Sequence, residues 1–197
     1  MPWWKVKRAS LENSSMVGIA EMAQDGRGRR LVAAQDILKG TEIFMESPVL
    51  WVAQEAGMEE VAAQLQDLTP AVQDSLLQLC QSSSLPPEEL AIIEELASGN
   101  DQLFALLRVY LINSIGTPDG GSAIYLKASR ANHSCRPNAA FQFDKERQLR
   151  LVTLRPVPSG EEVLVSYLPE GQKWGFRCRC CRCQTPDDVR PFVEEAV

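Results

Sequence analysis

The chain contains no long apolar run. Its most apolar stretch, Leu103 to Ile112, is interrupted by Arg108 and is far too short to cross a bilayer. No apolar segment follows the basic residues Lys5, Lys7 and Arg8, so no signal peptide is visible. The expectation is an intracellular protein, in nucleus or cytoplasm, with no membrane partner. An excess of positive charge is also missing: 20 Lys and Arg face 26 Asp and Glu, a net charge of −6. That balance counts against tight, unspecific binding of nucleic acid, which depends on neutralising phosphates. An acidic surface does tolerate a basic peptide. Histidine occurs once, as His133, and without a partner it is no credible general base. No internal repeat is found. Apolar residues at 45% and charged residues at 23% give an ordinary globular balance, and 197 residues suffice for one domain with a real core.

Periodicity divides the chain. Residues 15 to 53 read as β-structure, with strands at Met16–Ala23, Leu31–Ala34, Thr41–Glu46 and Pro48–Ala53 and a turn at Asp25-Gly26-Arg27-Gly28. From Glu55 to Ile112 the spacing changes to roughly 3.6 residues. Met58, Val61, Ala62, Leu65 and Leu68 stripe one helix, and Thr69-Pro70 is an N-cap with a first-turn proline before Val72, Leu76, Leu79 and Cys80. Leu90, Ile93 and Ala97 mark a third helix, and Leu103, Leu106, Leu107 and Tyr110 a fourth, all as packing faces. Strands return at Ile124–Leu126, Ala139–Phe143, Leu149–Leu154 and Val163–Tyr167, and residues 185 to 197 read as a loose tail.

Six cysteines are present, and four carry a pattern. Cys178, Cys180 and Cys183 form C-x-C-x-x-C, one ligand short of a tetrahedral zinc site, and Cys135 can supply the fourth thiolate. A four-thiolate site is closed, so its metal is structural, and the pattern suits a reducing compartment better than disulfides do. Cys181 is at the wrong spacing. Cys135 lies in Asn132-His133-Ser134-Cys135-Arg136-Pro137-Asn138, and Gly160-Glu161-Glu162-Val163-Leu164-Val165-Ser166-Tyr167 precedes the cluster.

This ordered set resembles the SET-domain lysine methyltransferases with a post-SET zinc motif, in the SMYD-like branch but without a MYND finger. The resemblance implies an α+β fold: a β-rich SET domain of small sheets with a pseudoknotted carboxy-terminal segment. Its SET domain would span 15–168, with halves at 15–53 and 113–168 around a helical insert at 54–112, and the zinc segment would follow at 174–184. The glycine-rich turn of similar proteins reads G-x-G-x-G. Gly26 and Gly28 match it, and Arg30 stands in place of the third glycine.

The implied activity is methyl transfer from S-adenosyl-L-methionine to a lysine of a protein substrate, histone or non-histone. Such a displacement needs a neutral amine, although free lysine has a pKa near ~10.4, and gains much from alignment alone. By resemblance Tyr167 is the catalytic residue; read alone, a strand tyrosine more commonly caps a backbone group in the core. Asn132 and His133 would hold the cofactor, with Asn113 and Ser122 as further polar contacts. Arg27, Gly28 and Arg29 would approach its carboxylate end, and Trp174 and Phe176 would pack on its adenine. Solvated loop positions are the plain alternative for Asn113, Ser122, Arg27 and Arg29. Two other readings stay open: a catalytically silent SET-like interaction module, and a zinc-dependent nucleic-acid binder built on Arg177, Arg179 and Arg182.

Overall fold

Among the described residues the chain forms four small sheets and four α-helices. The structure, a computed structural model, describes residues 16–22, 28–79 and 85–167. The cysteines Cys80, Cys178, Cys180, Cys181 and Cys183 therefore lie outside the described residues, as do Arg27, Trp174 and Phe176.

Strands β1 (Val17–Met22) and β2 (Gly28–Ala33) form an antiparallel hairpin from Val17↔Ala33 to Met22↔Gly28. Gly28, expected in the turn, is the first residue of β2. Arg30 sits opposite Ala20 within the strand and is not among the residues with positive φ, so a side chain is accommodated there without backbone strain. Leu31 and Ala33 alternate into the core. A second sheet has the order β3-β9-β8, from β3 (Glu42–Glu46), β8 (Ala139–Phe143) and β9 (Leu149–Thr153). The β8–β9 hairpin turns at Asp144–Gln148, where Arg147 adopts φ 62°. Its guanidinium lies 3.7 Å from the Trp51 ring centroid, and its Nε donates to Asp119 at 2.7 Å.

The third sheet has the order β4-β6-β5, from β4 (Leu50–Val52), β5 (Ile115–Gly116) and β6 (Ser122–Ile124). The strand expected at 124–126 thus lies two residues earlier. Tyr125 has left the ladder but is fully buried, donating its hydroxyl to Arg147 O at 2.7 Å. The last sheet is a parallel pair, β7 (Asn132–His133) with β10 (Leu164–Val165).

Between β4 and β5 run α1 (Met58–Asp67), α2 (Pro70–Leu77), α3 (Pro87–Ala97) and α4 (Asp101–Asn113). The apolar stripes do what their spacing predicts. Val61, Leu65, Leu76, Ile93, Leu106 and Leu107 form one buried cluster with Leu50, Val52 and Ile124. Capping differs in detail from the expectation. Thr69 is at the N-cap of α2 and Pro70 inside it, but the Thr69 hydroxyl makes no capping bond. Asn100 does cap, accepting from Leu103 N at 3.1 Å. Ser98 and Gly99, both at positive φ, make the turn before it. A second cluster of Leu31, Ile37, Ile43, Leu151, Val157 and Val163 underlies the strands. The two regions are tied by arginine: Arg29 and Arg130 both donate to Gln78 O, at 3.3 and 3.5 Å, at the C-terminal end of α2. Cations there meet carbonyls left unpaired by the helix and the negative end of its dipole.

Candidate functional site

The site is built where β7 meets β10. A 3-10 turn, Ala128–Arg130, leads into β7, and its first amides are held by a distant carboxylate. Glu46 accepts from Lys127 N at 2.9 Å and Ala128 N at 3.0 Å. After β7 the chain bends through Ser134, whose buried hydroxyl accepts from Arg136 N at 3.0 Å.

Asn138, at the end of the same loop, stitches it to the C-terminal strand. Its Nδ2 donates to Glu162 O at 2.8 Å, its Oδ1 accepts from Leu164 N at 2.7 Å, and its backbone N–H donates to Leu164 O at 3.0 Å. The backbone of Ser134 adds a bond to Val165 O at 2.9 Å. Just before β10 the same segment pairs with β2, through Val163 N to Leu31 O and Ala33 N to Glu161 O, both 2.9 Å. A strand expected from 163 to 167 is therefore reduced to two ladder residues. Residues on its N-terminal side pair with β2, and beyond Val165 the Tyr167 amide goes to a side chain.

Tyr167 is the clearest case. Its N–H donates to His133 Nδ1 at 3.1 Å, and its hydroxyl donates to Ala131 O at 2.7 Å. The two rings lie 5.3 Å apart, tilted by 47°. Tyr167 is 38% exposed, so it is not the core residue that a strand tyrosine commonly is. Because the phenol hydrogen is committed to Ala131 O, the lone pairs of its oxygen are what it can present to a ligand.

His133 is assigned its tautomer by the same bond. Burial lowers its pKa below the ordinary value, favouring the neutral ring. Nδ1 accepts the Tyr167 amide, so the proton rests on Nε2. Nε2 faces Cys135 Sγ at 3.4 Å. Cys135 is half-buried, and a donor aimed at its sulfur suits a thiolate. Among the described residues no group of three metal-ligating side chains occurs.

Asn132, the other β7 residue, donates from Nδ2 to Glu162 Oε1 at 2.7 Å. Glu162 Oε2 lies 3.7 Å from Arg30 Nη1. The remaining expected residues are placed as follows. Gly28 opens β2, and Arg29 is engaged with Gln78, through the carbonyl and through Oε1 at 3.2 Å. Asn113 is buried at the end of α4, with Nδ2 donating to Val109 O at 2.8 Å and its carbonyl accepting from Ser129 Oγ at 3.1 Å. Ser122 Oγ shares a short hydrogen bond with Tyr110 OH. The structure thus gathers Asn132, His133, Cys135 and Tyr167 into one site. Asn113, Ser122 and Arg29 are seen in bonds to α4, to Tyr110 and to α2. Asn138, Glu162 and Arg30 carry much of the geometry but were given no role by the sequence. The signal for the first two was their place in the N-H-S-C-x-P-N and G-E-E segments; Arg30 had none beyond its departure from glycine.

Chemically, a phenol oxygen whose hydrogen is already donated to a carbonyl can accept a hydrogen bond from an amine-bearing group and orient it without accepting its proton permanently.

A family model described as the SET domain matches residues 28–168. Curated relatives include a histone-lysine N-methyltransferase of Schizosaccharomyces pombe, 24% identical over 82% of this chain and 49% of that protein. A histone-lysine N-methyltransferase of Arabidopsis thaliana is 37% identical over 34% of this chain and 24% of its own length. A SET and MYND domain-containing protein of Dictyostelium discoideum is 26% identical over 42% of this chain and 31% of that protein. The chain thus spans at most about half of these relatives. The family model takes in β2, the Asn132–Asn138 loop, β10 and Tyr167 together, and the chain belongs to the SET-domain family.

Proposed function

We propose that this chain is an S-adenosyl-L-methionine-dependent protein-lysine N-methyltransferase, acting on a lysine of a histone or non-histone protein. The observation that carries the reading is Tyr167: exposed, tied by its amide to His133 and by its hydroxyl hydrogen to Ala131 O. The cofactor, when bound, supplies the methyl group as an electrophilic carbon on sulfur. Asn132 and the backbone around His133 would hold it, with Gly28 allowing close approach of β2. Arg27, Arg29, Asn113, Ser122, Trp174 and Phe176 are proposed as its outer contacts. Arg29 would keep its bond to α2 while doing so or exchange it.

Tyr167 would accept a hydrogen bond from the neutral lysine amine and weak C–H···O contacts from the methyl, fixing the line of attack. His133 positions Tyr167 and does not itself take a proton. Structural zinc is proposed on Cys135, Cys178, Cys180 and Cys183, with His133 Nε2–H directed at one of the sulfurs. The names of the relatives support a lysine-bearing protein as substrate, an intracellular setting in nucleus or cytoplasm, and placement in the SMYD-like branch.

The test is direct. Titration calorimetry should show S-adenosyl-L-methionine binding, and labelled methyl groups should pass to lysines of a cell lysate. Binding without transfer would leave a silent SET-like module, and neither would end the reading.

A further inference from the structure

One carboxylate joins a strand to the approach of the site, and the proposed mechanism does not use it. Glu46 is the last residue of β3 and reaches 81 positions along the chain. Its Oε1 accepts from Lys127 N at 2.9 Å, and its Oε2 accepts from Lys127 N at 3.1 Å and Ala128 N at 3.0 Å. These amides open the 3-10 turn Ala128–Arg130, and the first amides of such a turn have no carbonyl of their own to meet. Ala128 is buried, where an amide without a partner is costly. A carboxylate suits the place because it accepts only and carries two oxygens.

What the clamp fixes is a short, closed piece of chain. Ser129 N donates to Tyr125 O, Arg130 N to Lys127 O and Ala131 N to Ala128 O, each at 3.0 Å. Ala131 O then takes the Tyr167 hydroxyl at 2.7 Å. Ala131 thus lies between two holds, Glu46 before it and the β7–β10 pair after it. The other side-chain ties of the turn run to the helices: Ser129 Oγ to Asn113 O at 3.1 Å, and Arg130 to Gln78 O at 3.5 Å. Glu46 runs instead to β3, in the sheet that also holds β8, and Asn138 just ahead of β8 bonds the β10 strand that leads to Tyr167. Both partners of the Tyr167 hydroxyl bond are thereby referred to one sheet. Without Glu46, the start of the turn would follow the helices while the tyrosine stayed with the strands.

We propose that Glu46 is a positioning residue for Tyr167: by clamping the Lys127 and Ala128 amides to β3, it fixes Ala131 O and, through it, the direction in which the phenol oxygen meets the substrate amine. This rests on the reading of Tyr167 given above. A hydroxyl whose acceptor drifts turns about its C–O bond and no longer offers its oxygen along one line, and alignment is what such a transfer depends on.

The experiment is a double-mutant cycle on the full chain. It reads labelled methyl transfer from saturating S-adenosyl-L-methionine to a cell lysate, calorimetric affinity for that cofactor, and a melting curve for each variant. Glu46→Ala should slow transfer per folded molecule by roughly 10–100-fold, the scale of a small misplacement at a reacting centre, with cofactor affinity nearly unchanged. Combined with Tyr167→Phe it should be no slower than Tyr167→Phe alone, because the hydroxyl it positions is gone. Glu46→Gln, which keeps one acceptor oxygen, should recover part of the loss. A purely structural Glu46 would lower the melting temperature and leave the rate of the folded protein unchanged, and that result overturns the proposal. Losses that multiply in the cycle overturn it too, as does a loss of cofactor affinity as large as the loss of rate. Should Glu46→Ala melt below the assay temperature, Glu46→Asp, one methylene shorter, carries the same cycle. A parent chain that transfers no methyl removes the functional reading and the proposal with it. A parent slowed by Tyr167→Phe but not by Glu46→Ala overturns the proposal alone.

Discussion

At the scale of single residues, Tyr167 separates chemistry from packing because its hydroxyl has two sides. The hydrogen goes to Ala131 O, and the oxygen keeps acceptor capacity of its own. Tyr167→Phe removes both. Losing the bond to Ala131 O should cost about 1 kcal/mol of stability, the usual net worth of one hydrogen bond. If the oxygen also orients the amine, kcat and kcat/KM should fall together by roughly 10²–10³, as when one preorganised polar group is removed from a transition state. Cofactor affinity should hardly move. Rates normalised to folded protein decide the matter: equal turnover in parent and variant would leave the hydroxyl a structural group only. The sequence made Tyr167, Asn132, His133 and Cys135 visible, because each sits in a dense motif whose order is informative. Glu162 and Arg30 were hidden for a physical reason. Their pairing depends on how β2 meets a segment far along the chain, and no local pattern encodes that register.

At the scale of elements, β10 is too short to hold itself. Two ladder residues on β7 give few bonds, and Asn138 supplies side-chain bonds at both ends of the Glu162–Leu164 stretch. Asn138→Ala should remove its side-chain bonds to the Glu162 carbonyl and the Leu164 amide, each worth roughly 0.5–1.5 kcal/mol. For a chain of this size, each kcal/mol lowers the melting temperature by about 2–4 °C. A thermal melt unchanged by the substitution would show that β10 does not depend on this stitch. The helices show the opposite case. Their stripes, from Val61 and Leu65 to Leu106 and Leu107, were legible because a period of 3.6 is a local property. The strand near residue 124 lies two positions earlier than expected because Tyr125, though fully buried, packs against Ala123, Ala128 and Leu149 without belonging to a ladder.

At the scale of the whole molecule, the described part of the chain contains no helix long and apolar enough to cross a membrane. The metal proposal also belongs at this scale, because it would join the Asn132–Asn138 loop to residues beyond Tyr167. Purified protein should hold stoichiometric zinc, and Cys135→Ser should release it and destabilise the fold, while Cys181→Ser should not. Metal analysis near zero on a folded, active preparation would end that idea.

The arrangement of the strands also sets a schedule. Ser159 N meets Asp36 Oδ1 at 2.8 Å across 123 positions, and β2 takes the partners on its second edge from residues 161–163. The helices α1 to α4, by contrast, find their neighbours within one stretch of chain. As the polypeptide leaves the ribosome, those helices can pack on one another and on Leu50 and Val52 long before residue 161 is made, with Ile124 joining their cluster in between. The pairing that shapes the site cannot begin until its final strand has emerged, so a nascent chain passes through a period in which it has helices to pack and no place to bind.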